Sequence, residues 1–313
     1  MKIAFVGKGG SGKTTLAALF SRVIATKGLP VIAIDADINQ HLGYAIAGGK
    51  AVNPPPLGIE IDRIKTYLRG ANSHIPDPKE IIKTTPPGSG SRLLKIKEQN
   101  ELYSYFVSEQ SGVRLMATGG FTDEDLGVKC YHSKTGAVEL LLNHIVDTTD
   151  EFVVVDMTAG ADAFASGLFT RFDATFIVVE PTQKSITVFE QYRTHAEQFG
   201  VALFAIGNKV SDVSDVEFLR KHLGDYLIET ITVSPYVRAL ERGNLLPLNQ
   251  LEPEIKDTLL RLIDRANKQP KDWETYLRDG IYFHKKNAES WANNASGKDL
   301  TTQIDSEFRY PMI

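Results

Sequence analysis

The chain has 313 residues, 42% of them hydrophobic and 24% charged, which is the composition of a folded protein with one large or two smaller domains and excludes a disordered chain. The formal net charge of −4 at pH 7 argues against a general nucleic-acid binder, since such binding depends on Lys and Arg that neutralise phosphates. The single cysteine, Cys130, excludes an intrachain disulfide and a multi-cysteine metal site within one chain.

Short apolar runs alternate with longer segments of helical period along the chain. Most of the runs are continuously hydrophobic, as strands buried on both faces of a sheet are. The predicted strands are 2–6, 31–34, 113–117, 152–155, 175–179, 201–206 and 227–231. The predicted helices are 14–26, 137–147, 183–199, 214–223 and 252–267. This order predicts an α/β fold, doubly wound, with a mainly parallel sheet and helices on both faces.

Two stretches interrupt this alternation. Residues 52–112 contain three consecutive prolines and a second loop rich in Pro, Gly and Ser, which predicts an insertion on one edge of the sheet. The tail from residue 271 onward holds seven aromatic residues, which argues against disorder. It predicts either a tail docked on its own core or a partner-binding arm. We therefore expect a main domain at 1–268 and an aromatic-rich extension at 269–313.

No segment predicts a signal peptide or a membrane span. The apolar opening at residues 3–6 is too short for the hydrophobic region of a signal peptide. No window approaches the roughly 18 apolar residues that a span needs. The sequence therefore predicts a cytoplasmic protein without a membrane span.

A glycine-rich loop follows the first predicted strand and precedes the first predicted helix. It reads Gly-Lys-Gly-Gly-Ser-Gly-Lys-Thr-Thr from Gly7 to Thr15 and matches the phosphate-binding pattern G-x-x-x-x-G-K-[ST]. In such a loop Lys13 reaches the β- and γ-phosphates, and the Thr14 hydroxyl binds Mg²⁺. The predicted phosphate-binding residues are Gly9, Gly10, Ser11, Gly12, Lys13, Thr14 and Thr15.

The run from Lys8 to Thr15 resembles the deviant phosphate loop of the nitrogenase-iron-protein, MinD and ParA group of P-loop ATPases. In that group the early lysine, here Lys8, reaches across a dimer interface to the partner's nucleotide. The resemblance implies a P-loop NTPase domain, a homodimer formed with ATP, and slow hydrolysis of ATP to ADP and phosphate. Lys8 would then stabilise the charge on the transferred phosphoryl group.

Carboxylates follow two of the predicted strands. Asp35 and Asp37 come after the second strand, and Asp156 ends the fourth. In the pattern of the group, Asp37 orients the attacking water and Asp35 lies near Mg²⁺ through a water. Asp156 holds the Mg²⁺ hydration shell, and the amide of Gly160 senses the γ-phosphate. The alternative for each carboxylate is a turn residue, which is common at strand ends.

An asparagine, Asn208, follows the sixth predicted strand. The group uses an asparagine here to bind adenine, because an amide offers both a donor and an acceptor. Pro235 and Tyr236 resemble the segment that packs against the base. The sequence shows no guanine-recognition pattern, so ATP is favoured over GTP. The alternative for Asn208 is an Asx turn.

Cys130-Tyr131-His132 precedes the helix predicted at 137–147. Together with segments 34–37 and 179–185, it resembles the CooC-type ATPases that help mature nickel carbon monoxide dehydrogenase. In those proteins Cys-x-Cys pairs from two chains bind one metal. Two copies of this chain would offer two Cys130 and two His132, a set that suits Zn²⁺ better than Ni²⁺. The alternative is a small buried cysteine and a histidine at a helix start.

Three functions remain open from the sequence. The first is a dimeric Mg²⁺-dependent ATPase that acts as a conformational switch in metalloenzyme maturation, with an unidentified client protein. The second is a ParA- or MinD-like switch that positions DNA, a membrane-bound partner or a protein complex. The third is a metabolic ligase or kinase whose substrate pocket involves the insertion at 52–112.

Overall fold

Eight strands form one sheet in the computed structural model, which describes residues 1–50, 52–120, 131–157, 164, 167–244 and 246–311, without the side chains of 131–133. The strands are β1 (Lys2–Gly7), β2 (Val31–Ala36), β3 (Leu94–Lys95), β4 (Ser108–Gln110), β5 (Val113–Ala117), β6 (Ile145–Val146), β7 (Phe152–Met157), β8 (Ala174–Val179), β9 (Leu203–Val210) and β10 (Leu227–Thr232). The main sheet has the order β10-β9-β8-β1-β7-β2-β5-β4, and β3 pairs with β6 separately. Every pairing is parallel except that of β4 with β5.

Helices cover both faces of this sheet. They are α1 (Lys13–Thr26), α2 (Leu42–Ala47), α3 (Ile61–Arg69), α4 (Glu101–Phe106), α5 (Tyr131–His144), α6 (Gln183–Gln198), α7 (Val213–Leu223), α8 (Pro235–Glu241), α9 (Pro253–Asn267), α10 (Trp273–Asn287) and α11 (Asn293–Ser296). The predicted α/β fold with a mainly parallel sheet is confirmed.

The core forms two layers because the buried strands present alternate residues to opposite faces. Val153 and Val155 of β7 pack in the layer that contains α5, α6 and α7. Phe152 and Val154 pack in the layer that contains α1, α2 and α9. All six residues of β7 are buried, which is why the strand is continuously apolar up to its acidic end. The parallel direction brings the carboxyl ends of β1, β2, β7, β8 and β9 to one edge of the sheet.

Residues from the insertion extend that sheet at its β4 edge and also contact the tail. Asp305 accepts a hydrogen bond from the Ser89 backbone at 2.8 Å. Gln303 donates to the Glu80 carbonyl at 3.0 Å. The tail also contacts the main domain, where the hydroxyl of Tyr276 donates to the Leu142 carbonyl at 2.6 Å. The tail is therefore docked on its own chain.

The helix predicted at 137–147 has different ends in the structure. It begins at Tyr131 and ends at His144, so the prediction was wrong at both boundaries. Ile145 and Val146 instead form β6 and pair with β3 of the insertion. Both residues are β-branched and fit a strand once such a partner is present. Among the described residues, no helix is long and apolar enough to cross a membrane.

Candidate functional site

The glycine-rich loop connects β1 to α1 through backbone conformations that require glycine. Gly7 has φ +148°, and a Cβ there would lie 2.6 Å from the Val178 carbonyl oxygen. Gly12 has φ +96°, and a Cβ there would collide with the Asn208 side chain. Within the described part of the chain, no side chain caps the first turn of α1. Its N–H groups therefore remain available to an anion such as phosphate.

Lys13 lies in the first turn of α1 and faces carboxylates from two strands. Its ammonium group pairs with Asp37 and lies 3.8 Å from an oxygen of Asp156. The pairing of β2 with β7 places Asp35 directly opposite Asp156. The structure thus brings together Lys13 and the three predicted carboxylates at the carboxyl edge of the sheet. The remaining negative charge makes the cluster suited to a further cation.

Burial and charge change the pKa values of this cluster. Burial raises the pKa of Asp156 to about 6, although the Lys13 ammonium opposes that shift. Burial, together with repulsion from Asp156, raises the pKa of Asp35 well above its usual range. Burial alone would lower the pKa of Lys13, but attraction to Asp156 and Asp37 outweighs it and raises that pKa. The three carboxylates therefore compete for one positive charge.

Asp35 shapes the loop that follows β2. Its carboxylate accepts hydrogen bonds from the backbone of Leu42 at 2.8 Å and of Asp37 at 3.2 Å. These bonds fix the start of α2 relative to β2. Asp35 therefore positions Asp37, in addition to lying beside Asp156.

The residues fit Mg²⁺ bound together with a phosphate. Within the described part of the chain, neither buried carboxylate oxygen of Asp156 has a hydrogen-bond partner, and the same holds for the hydroxyl of Ser11 in the loop. Such atoms need a ligand or water, because an unsatisfied buried acceptor is costly. Among the described residues, no three His, Cys, Asp or Glu side chains could hold a metal ion by themselves. That agrees with Mg²⁺, which is usually held by one or two carboxylates together with phosphate and water.

A glutamate at the end of β8 links two lysines near the loop. Glu180 lies 3.5 Å from the ammonium group of Lys8 and 2.9 Å from that of Lys209. Lys209 also donates to the Gly10 carbonyl. Lys8, predicted to reach a partner's nucleotide, thus pairs within its own chain and is about 35% exposed. The sequence reasoning did not assign a role to Glu180 or Lys209, since neither belongs to the phosphate-loop pattern.

A second residue without a predicted role is Gln40. Its side-chain amide contacts Asp37 and the Thr118-Gly119 segment after β5. The sequence pointed to Gln40 only through its position, three residues after the predicted catalytic Asp37. The contact between Gln40 and Thr118 could not be predicted from the sequence, because the two residues are 78 positions apart in the chain.

A cavity of about 220 Å³ lies beside the loop. It is lined by Gly12, Thr15 and Asn208 together with Ser234 and Val237. The amide of Asn208 donates to the Ser11 carbonyl at 2.7 Å, and an amide retains further donor and acceptor capacity. The predicted position of Asn208 near the loop thus agrees with the geometry.

Two predicted base-packing residues do not line this cavity. Tyr236 is buried in the core, and its hydroxyl donates to the Leu246 carbonyl at 2.8 Å. Pro235 begins α8 and lines a separate cavity with Arg242. Val233, Ser234 and Val237 line the cavity beside the loop instead. The reason is that Ser234 caps α8 and turns Tyr236 inward. The predicted contact of Pro235 and Tyr236 with a base therefore stays a prediction.

Three predicted site residues cannot be placed by the structure. Cys130 and Gly160 lie outside the described residues, and the side chain of His132 does too. The metal and γ-phosphate roles suggested for them therefore stay predictions.

Residues 3–243 match the family model of the CobQ/CobB/MinD/ParA nucleotide binding domain. The match extends from β1 through α8. It includes the phosphate loop, both carboxylate segments and most of the residues around the cavity beside the loop.

Individual proteins show the same similarity. The chain is 27% identical over 259 residues to the carbon monoxide dehydrogenase accessory protein CooC of Rhodospirillum rubrum, covering 82% of this chain and 92% of that protein. It is 30% identical over 254 residues to an uncharacterized ATP-binding protein of Methanocaldococcus jannaschii, covering 80% and 91%. The crystal structure of a ParA family ATPase from Chlorobium tepidum aligns with a TM-score of 0.58 at 17% identity, covering 83% of this chain and 98% of that one. At that identity the last similarity concerns the fold alone.

Proposed function

Because the chain belongs to the CobQ/CobB/MinD/ParA nucleotide-binding family, we propose that it is a Mg²⁺-dependent ATPase that works as a conformational switch. The switch acts between two copies of the chain during the maturation of a metalloenzyme. The observation that carries this proposal is the position of Lys13 between Asp37 and Asp156, directly behind an uncapped helix start.

Lys13 and Asp37 have linked roles in this proposal. The phosphates of ATP compete with Asp37 for the Lys13 ammonium group, since both are anions within its reach. When Lys13 turns to the phosphates, the Asp37 carboxylate becomes available to accept a proton from water and orient it towards the γ-phosphate. The loop N–H groups from Gly9 to Thr15 hold the phosphates during this step.

Mg²⁺ would be held by the Thr14 hydroxyl and, through water, by Asp35 and Asp156. When bound, it neutralises charge that develops on the phosphate oxygens. Asp156 provides a buried carboxylate that accepts no hydrogen bond from the described residues and has the Lys13 ammonium 3.8 Å from one oxygen. Asp35 acts mainly by holding the loop that carries Asp37.

The dimer depends on Lys8 in this proposal. Lys8 leaves Glu180 and reaches the nucleotide of the second copy, where its charge stabilises the transferred phosphoryl group. Its pairing with Glu180 is partly exposed at 3.5 Å, and such ion pairs contribute about 0–1 kcal/mol. Breaking that pair therefore costs little compared with a new contact to phosphate.

A role in metalloenzyme maturation is supported by the similarity to CooC, whose name ties it to carbon monoxide dehydrogenase. In this role two copies bring Cys130 and His132 together and carry Zn²⁺ or Ni²⁺ as cargo. The client would be a metalloenzyme that receives the metal.

Sedimentation and ATP turnover together test the switch. Wild type is expected to hydrolyse ATP with Mg²⁺ and to dimerise with a non-hydrolysable analogue. Lys13→Ala should lose nucleotide binding, and Lys8→Ala should bind nucleotide but stay monomeric. Lys256→Ala, a charge removal on the exposed side of α9, is the matched control and should behave as wild type. Dimerisation of Lys8→Ala at wild-type nucleotide concentrations would overturn the dimer mechanism.

Metal content tests the maturation role separately. Zn²⁺ or Ni²⁺ should bind at one ion per dimer, and Cys130→Ser should lose that binding while keeping ATP hydrolysis. A salt-sensitive shift of DNA in the presence of ATP, without metal binding, would contradict the maturation role and favour a positioning switch.

A further inference from the structure

Gln40 occupies an unusual backbone conformation in the loop between β2 and α2. Its φ is +51°, in the left-handed region that side chains other than Gly, Asn and Asp rarely adopt. Local backbone preference therefore does not favour glutamine here. Contacts of its side chain have to hold the conformation.

The side-chain amide of Gln40 joins two segments that meet at the edge of the sheet. Its Nε2 donates to the Asp37 carbonyl and, at 3.0 Å, to the Thr118 hydroxyl. Its Oε1 accepts from the Gly119 backbone at 3.1 Å. Asn is one methylene shorter and does not span the same distance, whereas Gly would suit the backbone alone.

Thr118 continues this connection back to β2. Its backbone N–H and its hydroxyl both donate to the Asp35 carbonyl, at 2.9 and 3.1 Å. The loop with Asp35 and Asp37 is thus fastened at both ends to the segment that follows β5. Gln40 supplies the bonds at the far end of the loop.

We propose that Gln40 is a positioning residue for ATP hydrolysis, an inference that rests on the proposed function. It holds the Asp37 backbone against Thr118 and Gly119, so that the Asp37 carboxylate keeps its orientation after Lys13 has turned to the phosphates. Among the described residues, the contacts of Gln40 are with Asp35, Asp37, Thr118 and Gly119, so its removal should affect hydrolysis more than nucleotide binding.

Three substitutions of Gln40 in the full-length chain separate the side chain from the backbone. Gln40→Gly removes the amide but relieves the positive φ. Gln40→Asn keeps an amide and tolerates the positive φ, yet is too short to reach Thr118. Gln40→Ala removes the amide and retains the strain. If the amide bonds position Asp37, all three should lower kcat by about 10- to 100-fold, as expected for a misplaced catalytic group.

A second pair of variants tests the other side of the contact. Thr118→Val removes the hydroxyl at nearly constant volume and should lower kcat in the same way. Thr118→Ser keeps the hydroxyl and should restore most of the rate. Thr194→Val is the control, since Thr194 lies on the exposed side of α6 and its hydroxyl donates to the Glu190 carbonyl of the same helix; its kcat should equal that of wild type.

The expected combination is a lower kcat with the dissociation constant for ATP within about threefold of wild type. Hydrogen exchange of the nucleotide-free chain should also show loss of protection at the Gly119 amide in Gln40→Gly and Gln40→Ala. Wild-type kcat in Gln40→Gly, or an equal loss of ATP affinity and kcat, would overturn the inference. Absence of ATP hydrolysis in wild type would instead refute the proposed function, while the exchange data would still decide whether Gln40 holds Gly119.

Discussion

At the scale of single residues, the central contact of the site is that of the Lys13 ammonium group with Asp37 and Asp156. Protonating or removing one of these three groups changes the electrostatic environment of the other two. Lys13 is buried, and its two carboxylate neighbours come from different strands. Charges in such a site interact more strongly than on the surface, because less water screens them. The nucleotide and the proton therefore act on the same small cluster.

Removing the charge of Asp37 should separate ATP binding from hydrolysis. In Asp37→Asn the Lys13 ammonium no longer has to leave a carboxylate, so ATP should bind at least as tightly as in wild type. Hydrolysis should fall by about 100-fold or more, since the group that orients water is lost. Equilibrium binding of a fluorescent ATP analogue and single-turnover hydrolysis measure the two effects. Asp62→Asn, on the exposed first turn of α3, is the control; a wild-type rate in Asp37→Asn would contradict the role of Asp37.

Asp156 should make the nucleotide-free chain less stable as the pH rises. The pKa of Asp156 is about 6 in the folded chain against an ordinary value of 3.8, so the stability that its protonated form provides is present below pH 3.8 and lost as the pH rises through 6. Between pH 4 and 8, Asp156→Asn should gain about 3 kcal/mol relative to wild type. Urea denaturation at several pH values measures this difference. Asp225→Asn, at an exposed carboxylate, should leave it unchanged, and a pH-independent difference for Asp156→Asn would refute the explanation.

At the scale of secondary-structure elements, tertiary contacts determine where helix α5 ends. The last carbonyl groups of a helix lack partners within it. Here tail residues provide them, because Tyr276 donates to the Leu142 carbonyl and Tyr310 to the Asn143 carbonyl, each at 2.6 Å. The helix therefore ends where the tail docks. The hydrophobic periodicity of the sequence alone predicted that this helix continues to residue 147.

Two tyrosines of α10 offer a matched pair for testing that contact. Tyr276→Phe should lower the free energy of unfolding by about 1–2 kcal/mol, because the buried Leu142 carbonyl loses its donor. Tyr282→Phe removes the same hydroxyl from a side chain that is 49% exposed and should change stability by less than about 0.5 kcal/mol. Chemical denaturation measures both. Equal effects of the two substitutions would show that the tail hydroxyl does not stabilise α5.

At the scale of the whole molecule, a buried ion network joins the tail to the start of the chain. It lies at the amino end of β1, on the edge of the sheet opposite the phosphate loop. Asp147 pairs with the Lys2 ammonium at 2.7 Å and with that of Lys271 at 2.9 Å. The Lys2 ammonium also lies over the rings of Trp273 and Tyr276, at 4.6 and 4.5 Å from their centroids. Burial opposes the charge on Asp147, but the surrounding cations outweigh it and lower its pKa. The first and last parts of the chain thus form one folded unit.

A chain that ends at residue 269 should not fold stably. The shortened chain would lose the Lys271 ammonium from Asp147 and the rings of Trp273 and Tyr276 from the Lys2 ammonium, and it would expose apolar surface. A buried charge network that loses a partner is strongly destabilised, and a typical domain has only about 5–15 kcal/mol of stability. Circular dichroism and thermal unfolding measure the outcome. Trp291→Ala is the control, since Trp291 is 46% exposed in the same tail. A cooperative transition at the wild-type temperature in the shortened chain would contradict this prediction and make the tail a separate extension.

Much of the site was predictable because its residues stand at fixed distances from local patterns. The phosphate loop and the carboxylates follow strands that are apolar enough to be recognised. Pro235 and Tyr236 show the limit of this reasoning, since the sequence pointed to the segment but not to which of its side chains line the cavity beside the phosphate loop. That depends on the cap at Ser234 and on the core behind it.

The sequence by itself determined the family, the α/β fold and the positions of Lys13 at the start of a helix and of Asp37 and Asp156 at the carboxyl ends of strands, because these follow from periodicity and from short motifs. Only the tertiary structure decided which distant groups meet. It brought Gln40 to Thr118, Glu180 to Lys8 and the tail tyrosines to α5. The physical reason is that a hydrogen bond or ion pair depends on separation in space, and sequence separation contains no information on that until the sheet order is known.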